Sequence, residues 1–225
     1  MKVSEALASR FSCRAYLDKP VPLDIVRKVI EQSLRAPSGG NLQPWKVQVL
    51  TGEPLKAMVA DVQAALADHP TGDRPAYQIY PEPLKEPYHS RRFQCGADLY
   101  NALGITRDNR PGRIQQFQKN FAFFGAPVAV MLLVDKTMGA PQWADLGAFM
   151  QSVLLSACEH GLHTCPQEAW AMFEPIVRRH LALPDELMVF CGIALGYGDL
   201  DHPINQWRTT RATLEEVAEF KGFER

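Results

Sequence analysis

The sequence predicts a single-domain α+β fold, and three observations carry that expectation. Its 225 residues are 46% hydrophobic, enough to bury one substantial core. Two near-continuous apolar runs, Pro127 to Val134 and Leu187 to Leu195, have the length and composition of strands buried on both faces. The helix-like segments do not alternate regularly with the strand-like ones, which argues against a doubly wound sheet.

Ser4 is placed to cap a short amphipathic helix running to about Arg10. A second helix follows Pro22, with Leu23, Val26, Val29, Ile30 and Leu34 at helical spacing, and Pro37 and Gly39-Gly40 end it. Lys46 to Leu50 alternates like a half-buried strand, and Thr51-Gly52 turns into a helix over roughly Pro54 to Ala67. Residues 70 to 122 differ in character, with clustered prolines, tyrosines and arginines, and read as an irregular insertion able to form a lid. Trp143 to His160 is a long helix apolar almost all round, hence central, with Gly161 placed to terminate it. Pro175 opens another short helix, and Gly196-Tyr197-Gly198 leaves the last strand. No internal repeat or low-complexity tract appears.

Composition narrows the function. A formal net charge of -1 supplies no basic field for a nucleic acid. The longest apolar run, Ala126 to Val134, is about half of what a bilayer crossing needs. The first sixteen residues carry charges where a signal peptide would be apolar, so the expected location is the cytoplasm. Cys13, Cys95, Cys158, Cys165 and Cys191 are odd in number and form no CxxC pair, which argues for reduced thiols. Cys158, His160, His163 and Cys165 offer metal-ligating atoms, but they straddle a helix end at spacings unlike the usual zinc patterns, and no metal is expected. Gly196 and Gly198 lack the setting of a dinucleotide fingerprint and read as a turn. Trp45, Trp143, Trp170 and Trp207 read as packing residues, with Trp170 close enough to Glu168 to border a ligand.

Three polar segments stand out. Arg10-Phe11-Ser12-Cys13-Arg14 places two guanidiniums and a hydroxyl, good phosphate donors, within five residues; alone it reads equally as a solvated basic turn. Pro37-Ser38-Gly39-Gly40-Asn41-Leu42-Gln43-Pro44-Trp45 joins a pliable backbone to side-chain amides suited to a heterocycle edge, though a plain loop has the same ingredients. Arg208-Thr209-Thr210-Arg211 near the C-terminus clusters cations and hydroxyls, or opens a helix with solvent-facing arginines.

In this order the segments resemble the FMN-dependent nitroreductase family. Its R-x-S-x-[KR] is met by Arg10, Ser12 and Arg14, its P-S-x-x-N-x-Q-P-W by Pro37 to Trp45, and further matches are Cys165-Pro166-Gln167-Glu168 and Arg211-x-x-Leu214. The resemblance implies a three-layer fold with a mainly antiparallel central sheet flanked by helices, in an intertwined homodimer with FMN at the subunit interface. It places Arg10, Ser12 and Arg211 on the phosphate, with Arg208 beside them, and Arg14 at the N1/O2 side of the ring. Pro37, Ser38, Gly39, Asn41 and Gln43 come to the ring and ribityl from the other chain. Pro166 and Gln167 lead to Glu168, whose backbone amide faces flavin N5 and makes it the expected catalytic position. Thr209 stands where some relatives carry a basic residue and Ala169 where some carry glycine; Arg208 is placed to compensate for the first.

The implied activity is a ping-pong transfer of hydride from NADH or NADPH, through the flavin, to a nitroaromatic or quinone-type acceptor. In the 70–122 segment tyrosines can stack on an aromatic ring and arginines can pair with a carboxylate. Alternatives on the same scaffold are a reductive dehalogenase of halophenols and a non-catalytic FMN-binding protein. A side-chain nucleophile is not needed, in keeping with the lack of a G-x-S-x-G sequence.

Overall fold

The computed structural model describes residues 1–223; the last two residues of the expected 1–225 domain lie outside the described residues. The chain opens with α1 (Val3–Ser9) and α2 (Leu23–Ser33), followed by β1 (Lys46–Thr51) and α3 (Gly52–Ala65). Next come α4 (Tyr88–Ala102), α5 (Arg110–Gln118), β2 (Val128–Asp135) and the twenty-residue α6 (Ala140–Glu159). The last third holds β3 (His163–Gln167), α7 (Glu174–His180), β4 (Leu187–Gly196), α8 (Pro203–Gln206) and α9 (Leu214–Val217).

The four strands form one antiparallel sheet in the order β1-β2-β4-β3. β2 runs through its middle, Lys46 facing Leu133 on one side and Val128 facing Leu195 on the other, with a bulge between Leu132 and Leu133. The side chains of β2 alternate as a pleated strand requires. Val128, Val130, Leu132 and Val134 join Val26 and Val29 of α2 and Leu146, Phe149 and Val153 of α6. Ala129, Met131 and Leu133 join Met58 and Val62 of α3, Val177 of α7, and Trp170. Helices therefore cover both faces of the sheet, which explains why β2 and β4 are apolar throughout. No helix among the described residues is long and apolar enough to cross a membrane.

Several expectations need correction. Lys2, not Ser4, caps α1, and its backbone N–H donates to Glu5 at 2.9 Å. Leu23 and Leu34, assigned to the apolar stripe of α2, are exposed. Residues 70 to 122 are not irregular throughout: α4 and α5 lie inside the stretch, Asn109 capping α5 by accepting from the Gly112 N–H at 3.0 Å. Neither helix shows a strong apolar face in sequence, because α4 buries no residue fully and α5 only Gln116. The strand β3 has no strand signal in sequence, since His163-Thr164-Cys165-Pro166-Gln167 is short, polar and carries a proline. Proline is tolerated there because β3 is an edge strand.

One packing arrangement holds the β3 edge in place. Trp170, fully buried, stacks on Phe123 with ring centroids 4.1 Å apart. Phe123 and the adjoining Phe124 both have left-handed backbones, φ 48° and 53°, a cost that only firm packing sustains. Trp170 is thus a core residue with no face left to border a ligand. Its ring lies so close to β4 that a Cβ on Gly192 would meet Trp170 Cδ1 at 2.6 Å and Phe123 Cε1 at 3.0 Å. Gly192→Ala should therefore destabilise the fold by about 1–3 kcal/mol through overpacking. Urea unfolding measures it, and an unchanged midpoint would show that the Trp170–Phe123 stack gives way freely.

Candidate active site

The segment from Arg10 to Arg14 leaves α1 and lies along β3. Ser12 bridges Thr164 in parallel, and the Cys13 N–H donates to the Thr164 carbonyl at 2.9 Å. Asn205, buried in α8, clamps the segment from the other side. Its Oδ1 accepts from the Arg14 N–H at 2.8 Å, and its amide donates to the carbonyls of Ala15 at 2.8 Å and Asp199 at 2.7 Å. Sequence reading missed Asn205, whose only signal is an amide just after a proline. With the backbone held, the Arg14 guanidinium donates to the Ser12 carbonyl at 3.1 Å and sits 6.0 Å from the Phe124 ring.

β3 brings Gln167 and Glu168 to the same edge. Gln167 is buried; its Nε2 donates to the Asn120 carbonyl at 2.8 Å, while its Oε1 has no hydrogen-bond partner. Glu168 begins a 3-10 turn (Glu168–Phe173), so its backbone N–H has no acceptor within that turn. Arg208 joins the group by stacking over Phe11, 3.9 Å from the ring centroid. Among the described residues neither Arg10 nor Arg14 is paired with a carboxylate.

Two expected members are elsewhere. Arg211 turns back on the carbonyls of Thr209 and Thr210 and lines a shallow depression with Arg91, Cys95 and Asp98 of α4, away from Ser12. The loop holding Pro37, Ser38, Gly39, Asn41 and Gln43 lies near the start of α6, where the Gly39 N–H donates to Asp145 at 3.2 Å, whereas Arg10 lies toward the end of α6, near Cys158. Asn41 and Gln43 take left-handed backbones, φ 56° and 49°, and Ser38 accepts from the Gln43 N–H at 3.0 Å. This loop leads into β1 at one edge of the sheet, whereas Arg10 to Arg14 flanks β3 at the other. Three strand spacings separate those edges, about 14 Å. The segment and the loop therefore lie at opposite edges of the sheet.

Electrostatics around Arg14 argue against thiol chemistry. Burial pushes the Cys165 thiol up to about 11 despite the nearby guanidinium, and raises Cys13 as well, so both stay protonated at neutral pH. His163 is held below its usual value by burial and by Arg208, and its Nδ1 accepts from the Gly198 N–H at 3.2 Å. Cys158, on α6, is separate from buried Cys165, and among the described residues no group of three or more His, Cys, Asp or Glu could hold a metal ion.

The family model described as "Nitroreductase family" matches residues 7–197, more than half of the chain. The chain belongs to the nitroreductase family. It is 35% identical over 218 residues to a chloronitrobenzene nitroreductase of Comamonas testosteroni, covering 97% of this chain and 96% of that one. It is 39% identical over 216 residues to a 4-nitrobenzoate reductase of Nocardioides sp., covering 94% and 86%. The crystal structure of an FMN and NADPH-dependent nitroreductase from sphigopyxis sp. strain HMH superposes with a TM-score of 0.96 at 48% identity, covering 99% of this chain and 100% of the other.

Proposed function

We propose that this nitroreductase-family chain is an FMN-dependent oxidoreductase that uses NADPH or NADH to reduce nitroaromatic or quinone-type acceptors, and that it works as a homodimer. The observation that supports the reading is the β3 edge, which runs beside Ser12 between Arg10 and Arg14, neither of them paired with a carboxylate among the described residues, and ends at Glu168, whose N–H has no acceptor within its own turn. That donor set fits FMN: cations and a hydroxyl for a phosphate, a cation for an electron-rich ring edge, and a backbone donor for a ring nitrogen. The buried, partnerless Gln167 Oε1 beside them adds an acceptor for a ring N–H. When bound, the flavin takes hydride from the nicotinamide and passes it to the acceptor.

The chain's own residues do the rest. Arg10 and Ser12 hold the phosphate, with Arg208 behind them. Arg14 is kept rigid by Asn205 and the Ser12 carbonyl, and so presents a fixed positive charge where negative charge builds up on reduction. Glu168 serves through its backbone N–H, and Pro166 fixes the approach to it. Neither needs to move a proton from a side chain.

Homodimerisation follows from the divided site. Pro37, Ser38, Gly39, Asn41 and Gln43 complete the pocket only if a partner supplies them, since in one chain they belong to the opposite sheet edge. The tail supports this reading: Leu214, Val217, Phe220 and Phe223 are exposed on the single chain, and apolar side chains so placed gain by burial against a partner. Arg211 reaches a phosphate in this reading only after the tail is repositioned on dimer formation.

Anaerobic titration tests the reaction. Purified protein should be yellow, bleach on adding NADPH or NADH, and regain colour with a nitroarene. Colour that NAD(P)H cannot bleach would mean a flavin-binding protein without turnover, and halide release from a halophenol would mean dehalogenation.

A further inference from the structure

Between α4 and α5 lies an open cavity of about 970 Å³, whose lining includes Arg14 and Phe124. Five arginines line it, Arg14, Arg92, Arg107, Arg110 and Arg113, and no aspartate or glutamate does. Among the described residues none of the five makes an ion pair; the neighbouring Arg91 does, with Glu216 at 3.3 Å, and is not part of the wall. The wall histidine, His89, is matched by Glu86 at 3.3 Å. Three of the arginines are laid over rings instead: Arg92 4.2 Å from the Tyr80 centroid, Arg113 4.3 Å from Tyr100 and Arg107 5.7 Å from Phe93. Stacking fixes the plane of a guanidinium while its N–H edge stays free to donate. Arg110 and Arg113, three residues apart on α5, project from one face of it.

Five like charges around one cavity repel one another, and no carboxylate in its wall offsets that repulsion. An anion would turn that cost into binding, and bidentate guanidiniums suit a carboxylate or a phosphate. We infer that this cavity is an anion-binding subsite next to the redox centre, taking a carboxylate or phosphate carried by the aromatic acceptor or by the nicotinamide nucleotide. The inference rests on the flavin reading, because Arg14 belongs to both the cavity wall and the ring edge. The tyrosines under the arginines supply the apolar surface on which the ligand's ring can lie.

The test compares wild type with Arg110→Gln/Arg113→Gln, using 4-nitrobenzoate against nitrobenzene and NADPH against NADH. If the anion is on the acceptor, the kcat/KM preference for 4-nitrobenzoate falls about tenfold or more in the double variant. If it is on the nucleotide, the preference for NADPH falls by a similar factor instead. Calorimetry with benzoate and with adenosine 2′-monophosphate reads the subsite without turnover, and binding of the matching probe should be lost in the glutamine pair and kept in Arg110→Lys/Arg113→Lys. Loss of folding in the glutamine pair leaves wild-type probe binding as the measure, which should weaken steeply with added salt. Both preferences unchanged, or neither probe bound by wild type at low salt, would overturn the subsite. Protein that holds no FMN, or whose flavin NAD(P)H cannot bleach, would count against the redox reading alone, with calorimetry still deciding the anion site.

Discussion

Chains carrying Arg10→Ala and Arg14→Ala should be nearly inactive alone, as should chains carrying Asn41→Ala and Gln43→Ala, yet mixed dimers of the two should regain activity. The expectation comes from the sheet order. Arg10 and Arg14 lie against β3 at one edge, and the Asn41 loop precedes β1 at the other, about 14 Å away. In a two-fold dimer each site would combine the β3 edge of one chain with the loop of its partner, so a mixed dimer has one site with both halves wild type and one with both halves altered. The purified mixed dimer should therefore show about half of wild-type activity, and an unfractionated mixture, in which random pairing makes about half of the dimers mixed, about a quarter. Co-expression of differently tagged chains, tandem purification of the mixed species and assay of flavin content and rate measure it. No recovery in a purified mixed dimer that forms normally would place both halves in one chain, and the divided-site reading would fall.

The second expected result separates binding from redox tuning. Arg10→Ala should weaken oxidised FMN binding by about 1.5–3 kcal/mol, the usual cost of a charge-assisted hydrogen bond, and added FMN should restore most of the rate. Arg14→Ala should instead lower the flavin midpoint potential by tens of millivolts, about 30 mV corresponding to roughly 1.4 kcal/mol for two electrons. Saturating FMN should not rescue it. The structure sharpens the contrast, because the Arg14 backbone is fixed by Asn205 independently of its side chain, so truncation removes the charge and leaves the segment in place. Arg14→Lys should recover part of the potential, since charge at the ring edge matters there more than guanidinium shape. Asn205→Ala, which frees the segment, should cost both flavin affinity and potential. A reductive titration against a reference dye reads all four. A wild-type potential in Arg14→Ala beside a shifted one in Arg10→Ala would exchange the two roles.

Local signals in the sequence carried much of this. The apolar period of β2 and β4, the all-round apolar α6 and the prolines and glycines at element ends specify their own structure, because burial and backbone preference act on neighbouring residues. The Arg10–Arg14 and Pro37–Trp45 segments were legible for the same reason: each carries its donors within a few residues. What those segments do together was not legible. Strand order decides that, and it depends on which apolar faces meet across the sheet, so only the fold sets Arg14 beside Gln167 and Glu168 and sends the Asn41 loop to the far edge. β3 was hidden because an edge strand pairs on one side and need not be apolar, and α4 and α5 because helices that bury little carry little amphipathic pattern. Asn205 and the five-arginine cavity join residues distant in the chain, and no spacing announces them. Composition and period determined the buried elements; tertiary packing alone determined which charges converge and which stay unpaired, because burial and Coulomb interaction depend on distance in space.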